Sequence, residues 1–314
     1  MPTRQLVTLG EAMLRFSVRA GDRLEDAPAY DVHVAGSEAN VAFAAARVGL
    51  RAAWVSALPD NALGRRVART LAAGGVDTSL VRWEMGGRLG LYFVELATAP
   101  RAIEVLYDRA SSTMALAPSV VFDWAQVADT QFLHVSGITL ALSDSTRELT
   151  RRAMEAARAG GASVTMDVNY RHRMWGREEA ADAVREVAPL VDVLVCTAED
   201  ARDLFEAESV DQLQARLGVE TVVLTLGGDG AIASRGGTAV RRPGHRVTTV
   251  DRVGAGDAFM AGLIWGLVDG SLELGLDRGL AMSALKMTMH GDLFRLDRSD
   301  VETLLASDSR EVGR

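Results

Sequence analysis

Short runs of β-branched and aliphatic residues alternate with stretches of helical periodicity along most of this 314-residue chain. That alternation limits the possible folds more than any other feature. Strand-like runs lie at 6–9, 53–57, 132–135, 163–167, 191–196 and 221–225. Between them, 38–48, 63–73, 144–158 and 178–187 place apolar residues at helical spacing. Strands alternating with helices predict an α/β fold: a mostly parallel sheet covered by helices on both faces. Ligands then gather at the C-terminal ends of the strands. The length fits one large domain over 1–314 with a small appendage, and a 48% hydrophobic composition supplies its core.

Two regions break the rhythm. Residues 14–34 hold strand-like pieces with no helix between them, and 88–109 reads as two strands, 89–96 and 103–107. A turn at Thr98-Ala99-Pro100-Arg101 joins the latter pair. Together they predict a small antiparallel sheet, which is too small to stand alone and must pack as a lid over a site, its own or a partner's. Its exposed edges predict a homo-oligomer formed through the lid. The last third reads as helical over 256–268, 272–290 and 299–306.

Charge narrows the function. A net charge of −8 argues against a nucleic-acid or membrane-surface binder. An anionic substrate would then need a locally basic pocket, so the arginines matter; Lys286 is the only lysine. Cys196 is the only cysteine, which rules out an internal disulfide and suits a reducing cytoplasm. It lies in an apolar run and reads as a buried strand residue. The N-terminal residues lack a signal-peptide apolar core, and no apolar stretch approaches the roughly 20 residues of a membrane span. The expectation is a soluble, cytoplasmic protein.

The strongest local signal is Val253-Gly254-Ala255-Gly256-Asp257-Ala258-Phe259-Met260-Ala261-Gly262. Glycines let backbone approach a ligand closely, and the first amides of the helix they open suit a phosphoryl group in transit. Asp257 in the first turn is placed to take a proton from a hydroxyl beside those amides, although an aspartate there also reads as a helix cap. Upstream, Thr225-Leu226-Gly227-Gly228-Asp229-Gly230 follows a strand and turns into another, leaving backbone free to face a nucleotide. An ordinary hairpin would look the same. The chain has no P-loop pattern and no dinucleotide fingerprint after its first strand. Its five histidines are scattered without metal-ligand spacing.

Asp251-x-x-Gly254-Ala255-Gly256-Asp257 resembles the C-terminal signature of the ribokinase-like (PfkB) carbohydrate kinases. Ala35-Gly36-Ser37-Glu38-Ala39-Asn40-Val41-Ala42 resembles their N-terminal signature, and Gly227–Gly230 their nucleotide-side loop. The motifs fall in family order over 4–306. Within the family, further segments are similar to 2-keto-3-deoxygluconate kinases. These are Gly90-Leu91-Tyr92-Phe93-Val94-Glu95, Val105-Leu106-Tyr107-Asp108-Arg109-Ala110-Ser111-Ser112 and Asp167-Val168-Asn169-Tyr170-Arg171 with Trp175. Ser283-Ala284-Leu285-Lys286, leading to Gly291-Asp292, belongs with them, as does Arg252 in place of the family's usual threonine.

The resemblance implies a three-layer ribokinase-like sandwich and Mg²⁺-dependent transfer from ATP to a 6-hydroxyl, and it leaves room for a monovalent cation. It implies that Asp257 is the base and that the amides of Gly254, Ala255 and Gly256 form the anion hole. Gly36 and Asn40 would contact sugar hydroxyls. Tyr92, Tyr107 and Arg109 from the lid, with Arg171, would hold the keto-acid end. Guanidinium forks match a planar carboxylate, which supports the arginines independently. Arg171 also suits a phosphate, and the tyrosines also suit simple packing of the lid. On the nucleotide side the resemblance implies Thr225, Gly227, Gly230, Gly254, Gly256 and Thr197. Thr197-Ala198-Glu199-Asp200 departs from the family's Asn-x-x-Glu: Thr197 stands for the asparagine, and Asp200 takes the acidic, metal-organising position. A neutral-sugar kinase of fructokinase or ribokinase type, and a non-catalytic sensor on the same scaffold, are the competing readings.

Overall fold

A computed structural model describes residues 2–19, 21–95 and 101–311. The expected turn at 98–101 lies largely outside them. The chain runs through β1 (Arg4–Leu9), β2 (Met13–Ser17), β3 (Asp31–Ala35), α1 (Ser37–Arg47), β4 (Ala52–Pro59), α2 (Ala62–Ala73) and β5 (Val81–Glu84). It continues through β6 (Gly90–Glu95), β7 (Glu104–Asp108), α3 (Trp124–Ala128), β8 (Thr130–Ser136), α4 (Gly137–Leu142), α5 (Asp144–Ala159) and β9 (Ser163–Asp167). Next come α6 (Arg177–Val187), β10 (Val193–Thr197), α7 (Ala198–Phe205), α8 (Val210–Leu217) and β11 (Thr221–Thr225). The last elements are β12 (Ala231–Arg235), β13 (Thr238–Arg242), α9 (Ala255–Val268), α10 (Leu272–Lys286) and α11 (Arg298–Glu311).

Nine strands form the large sheet in the order β13-β12-β11-β10-β9-β8-β1-β4-β5. Every pair from β5 to β11 is parallel, and β12 and β13 close one edge as an antiparallel hairpin. The central strands are near-continuous Val, Leu, Ile and Ala runs because both of their faces are covered. Helices α5 to α8 bury one face, through Leu149, Met154, Val184, Leu204 and Leu213. Helices α1, α9 and α10 bury the other, through Val41, Phe259, Ile264 and Leu276. Helix α9 is apolar on all sides and lies buried, with Gly266 so close to α10 that a Cβ there would stand 2.1 Å from the Gly275 nitrogen.

The second sheet has the order β3-β2-β6-β7. Its two outer pairings are antiparallel as expected, whereas its central β2–β6 pairing is parallel because the chain visits the large sheet between those strands. Cys196 is a fully buried strand residue. Two details escape the sequence pattern. Strand β5 is a short edge strand, and three of its four residues are exposed, so it lacks an apolar signature. Helix α10 stops at Lys286, not at 290, and the chain turns back through Gly291 at φ 80°.

Candidate active site

The neighbouring strands β8, β9, β10 and β11 end at Ser136, Asp167, Thr197 and Thr225. Ser136 stands opposite Asp167 in register, and Thr197 opposite Thr225. This row of strand ends is where the alternating pattern places a ligand. The first turns of α1 and α9 meet beside it. Ser37 Oγ donates to Asp257 Oδ1 at 2.7 Å, and Asn40 Nδ2 donates to Oδ2 at 2.7 Å. The two signature motifs, more than 200 residues apart, thus converge on one carboxylate.

Local constraints explain the glycines. Gly254 caps α9 at φ 85°, and a Cβ there would lie 2.2 Å from the Asp292 carbonyl oxygen. Gly36 packs so tightly that a Cβ would stand 2.2 Å from the Glu11 carbonyl oxygen. The Ala255 amide already donates to the Arg252 carbonyl at 3.2 Å. The amides of Gly256 and Asp257 therefore remain to receive an anion at the positive end of the helix.

Burial lifts the Asp257 carboxyl above the ordinary carboxylate range, while its bonds from Asn40 and Ser37 and the charge of Arg171 pull it back. Asp167 is pushed up to about 7, first by burial and then by the charge of Asp257. Asn169 links the two. Its amide donates to Asp167 Oδ1 at 3.1 Å and its Nδ2 donates to Ser37 Oγ at 3.0 Å, from a left-handed φ of 42° that asparagine tolerates. Asn40 Oδ1 is buried without a partner, next to the carboxylate that its own nitrogen holds. A ligand hydroxyl is a partner it can accept from. Glu38 fastens the start of α1, its Oε1 accepting from Ser136 N, Ser136 Oγ and Thr139 Oγ1 at 3.1, 2.7 and 2.6 Å. Burial raises its pKa.

The second sheet reaches the same loop from above. Arg15 on β2 is fully buried and bridges Asp251 at 2.9 Å and Asp292 at 3.0 Å. Tyr92 on β6 donates its hydroxyl to Asp292 Oδ1 at 2.6 Å and stacks on Tyr107 at 5.6 Å. It is 6% exposed. Through this hydroxyl Tyr92 ties the sheet to the loop. Tyr107 is exposed. Arg109 lies 5.8 Å from the Tyr107 ring, and its guanidinium grips Glu11 Oε2 through Nε and Nη2 at 2.9 and 2.5 Å. Ser112 Oγ donates to the other Glu11 oxygen. Arg109 is thus paired with a buried carboxylate that nothing in the local sequence singles out. Arg171 is exposed, donates to the Tyr170 carbonyl at 3.0 Å, and acts electrostatically on Asp167, Asp200 and Asp257.

Toward the other end of the row, Leu226 N donates to the Gly230 carbonyl at 2.8 Å, closing the glycine turn after Thr225. The Thr197 hydroxyl accepts from the Asp200 amide at 3.0 Å and caps α7, with Glu199 and Asp200 in its first turn. Burial raises the Asp200 carboxyl. Among the described residues no three His, Cys, Asp or Glu side chains are arranged to hold a metal. The Asp200 carboxylate is a hard oxygen donor of the kind Mg²⁺ takes singly beside its waters and phosphate oxygens.

Residues 3–297 match the pfkB family carbohydrate kinase profile. The chain belongs to that family. It is 40% identical over 99% of its length to a 2-dehydro-3-deoxygalactonokinase from Haloferax volcanii, covering 100% of that protein. A 2-dehydro-3-deoxygluconokinase from Thermoproteus tenax is 32% identical over 91% of this chain and 89% of its own. The crystal structure of 2-dehydro-3-deoxygluconokinase from Thermotoga maritima superposes with a TM-score of 0.89 at 32% identity, covering 96% of this chain and 98% of that one. The chain is accordingly an ATP-dependent carbohydrate kinase with a ribokinase-like fold. Among the described residues no helix is long and apolar enough to cross a membrane.

Proposed function

We propose that this kinase transfers the γ-phosphoryl group of Mg²⁺-bound ATP to the 6-hydroxyl of 2-keto-3-deoxygluconate, giving the 6-phosphate and ADP. The observation that carries the reading is full-length likeness to kinases named for 3-deoxy keto acids. The 40% identical relative favours the galactonate-derived epimer as a second reading.

In this mechanism the sugar hydroxyls lie against Gly36 and Asn40, with Asn40 Oδ1 accepting one of them. Asp257 takes the proton of the 6-hydroxyl as that oxygen bonds to phosphorus and ADP leaves. The amides at the start of α9 receive the charge of the transferring group, Gly256 and Asp257 more than Ala255, together with the close backbone approach at Gly254. Arg109 and Tyr107 from the second sheet, acting as a lid, hold the keto-acid end opposite Arg171. Thr225, Gly227 and Gly230 line the nucleotide side with Thr197, and Asp200 would help to hold Mg²⁺, which would supply neutralisation of the phosphate charge. The exposed aromatic and aliphatic side chains Tyr30, Leu106 and Tyr107 on the second sheet support assembly of two copies through it.

A coupled ADP-release assay over both keto-deoxy acids, fructose and ribose tests the reading. The expected result is a kcat/KM for at least one keto-deoxy acid above that of every neutral sugar. Fructose or ribose as the better substrate would refute it.

A further inference from the structure

The basic residues number 34, and all but Lys286 are arginine. This one exception is fully buried at the last turn of α10. Its Nζ donates to two backbone carbonyls, those of Asp251 and Met289, each at 3.3 Å. Asp251 opens the phosphate-binding loop. Its carboxylate is held by the Val253 amide at 3.0 Å, the Gly291 amide at 3.1 Å and Arg15 at 2.9 Å. Met289 lies two residues before Gly291, and Asp292 presses its carbonyl against Gly254. Lys286 therefore sits where both strands of backbone that shape the anion hole come together.

Two facts separate this ammonium from an ordinary ion-pair partner. No carboxylate oxygen lies within salt-bridge distance of it among the described residues; its contacts are carbonyl oxygens, at distances longer than the ~2.7–2.9 Å of a tight charged hydrogen bond. A point charge of +1 within a set of backbone carbonyls is the arrangement by which proteins hold alkali cations. The charge is also balanced at a distance. Buried Arg15 and Lys286 face buried Asp251 and Asp292; burial lowers the lysine pKa, and the two carboxylates counter part of that penalty. A compact ammonium suits two converging carbonyls better than an arginine's planar fork, which fits lysine at this position in a chain that otherwise uses arginine.

We infer that Lys286 is a positioning residue that serves the phosphate-binding loop as a built-in monovalent cation, so that turnover needs no dissolved potassium or sodium. Its charge holds the Asp251 and Met289 carbonyls, and through them the path of 251–257 and the direction of the Gly256 and Asp257 amides. The inference rests on the kinase reading but not on which sugar acid is the substrate. Wild-type ADP release with the best sugar acid checks that reading first and separately.

The wild-type enzyme is assayed at constant ionic strength in KCl and in choline chloride, whose cation is too large for the site. Equal kcat in both salts is expected; activation by potassium of more than about fivefold would overturn the inference. Lys286→Met, matched in length but uncharged, is expected to lower kcat by about 100-fold with the KM of both substrates changed much less, the size typical of losing one aligned anion-hole donor. Lys286→Ala is expected to regain activity with added potassium or ammonium and not with choline. A folded Lys286→Met with near-normal kcat, or a folded Lys286→Ala that no small cation restores, would contradict it. If neither variant folds, the wild-type salt comparison decides alone.

Discussion

The two sides of the site are built differently. Below, around Asp257, the groups that handle phosphate are backbone amides and carboxylates locked in place by Ser37, Asn40, Arg15 and the 291–292 turn. Above, the groups proposed for the sugar's acid end are long side chains with internal partners or open to solvent: Arg109 on Glu11, and exposed Tyr107 and Arg171. The lower side is preorganised for charge that develops in the transition state, where fixed dipoles act most strongly. On the proposed reading the upper side exchanges partners, the carboxylate of the substrate competing with Glu11 for the Arg109 fork.

The largest effect should come from the rigid side. Asp257→Asn removes the proton acceptor with little change of shape, and kcat should fall by ~10²–10⁴ while ATP binding by calorimetry stays close to wild type. Retention of more than about a tenth of the activity would make Asp257 a cap and not a base. Next comes Arg15→Met. Deleting one partner of a buried ion-pair network leaves Asp251 and Asp292 uncompensated, and chemical unfolding should show a loss of about 3–5 kcal/mol. Glu11 is buried but its partner Arg109 keeps 11% of its side chain exposed, and it is one pair where Arg15 holds two carboxylates, so Glu11→Gln should cost clearly less than Arg15→Met; an equal or larger loss would erase the contrast.

Much of this was legible in the sequence. The strands 163–167 and 221–225 match to the residue, since their apolar runs have one structural explanation. Gly36, Asn40, Gly254 and Asp257 come together because a positive φ or a close approach left only glycine possible, and because a helix N-terminus needs its first turn clear. What stayed hidden depends on distant partners. Nothing local in Glu11 or Asp292 predicts that one would grip Arg109 and the other take the Tyr92 hydroxyl. Asn169 and Lys286 lay in segments similar to the gluconate-kinase subgroup, but their roles follow from which backbone and side-chain groups the fold brings beside them.

A smaller effect sharpens the electrostatic side of the comparison. Arg171 favours the ionised forms of Asp257 and Asp167, so its removal raises both pKa values. For Arg171→Ala the acid limb of the kcat/KM profile should therefore move to higher pH. An unchanged or lowered limb would place Arg171 away from the reacting carboxylates.

The most direct test of the division between a fixed phosphoryl side and an exchangeable acid side is steady-state kinetics of Arg109→Ala with the best keto-deoxy acid, ATP and a neutral sugar. Loss of one charged contact to a carboxylate should raise KM for the acid by roughly tenfold to a hundredfold, with KM for ATP and kcat/KM for the neutral sugar within about twofold of wild type. An unchanged KM for the acid, or an equal loss with ATP or the neutral sugar, would contradict the assignment of the acid end to the second sheet.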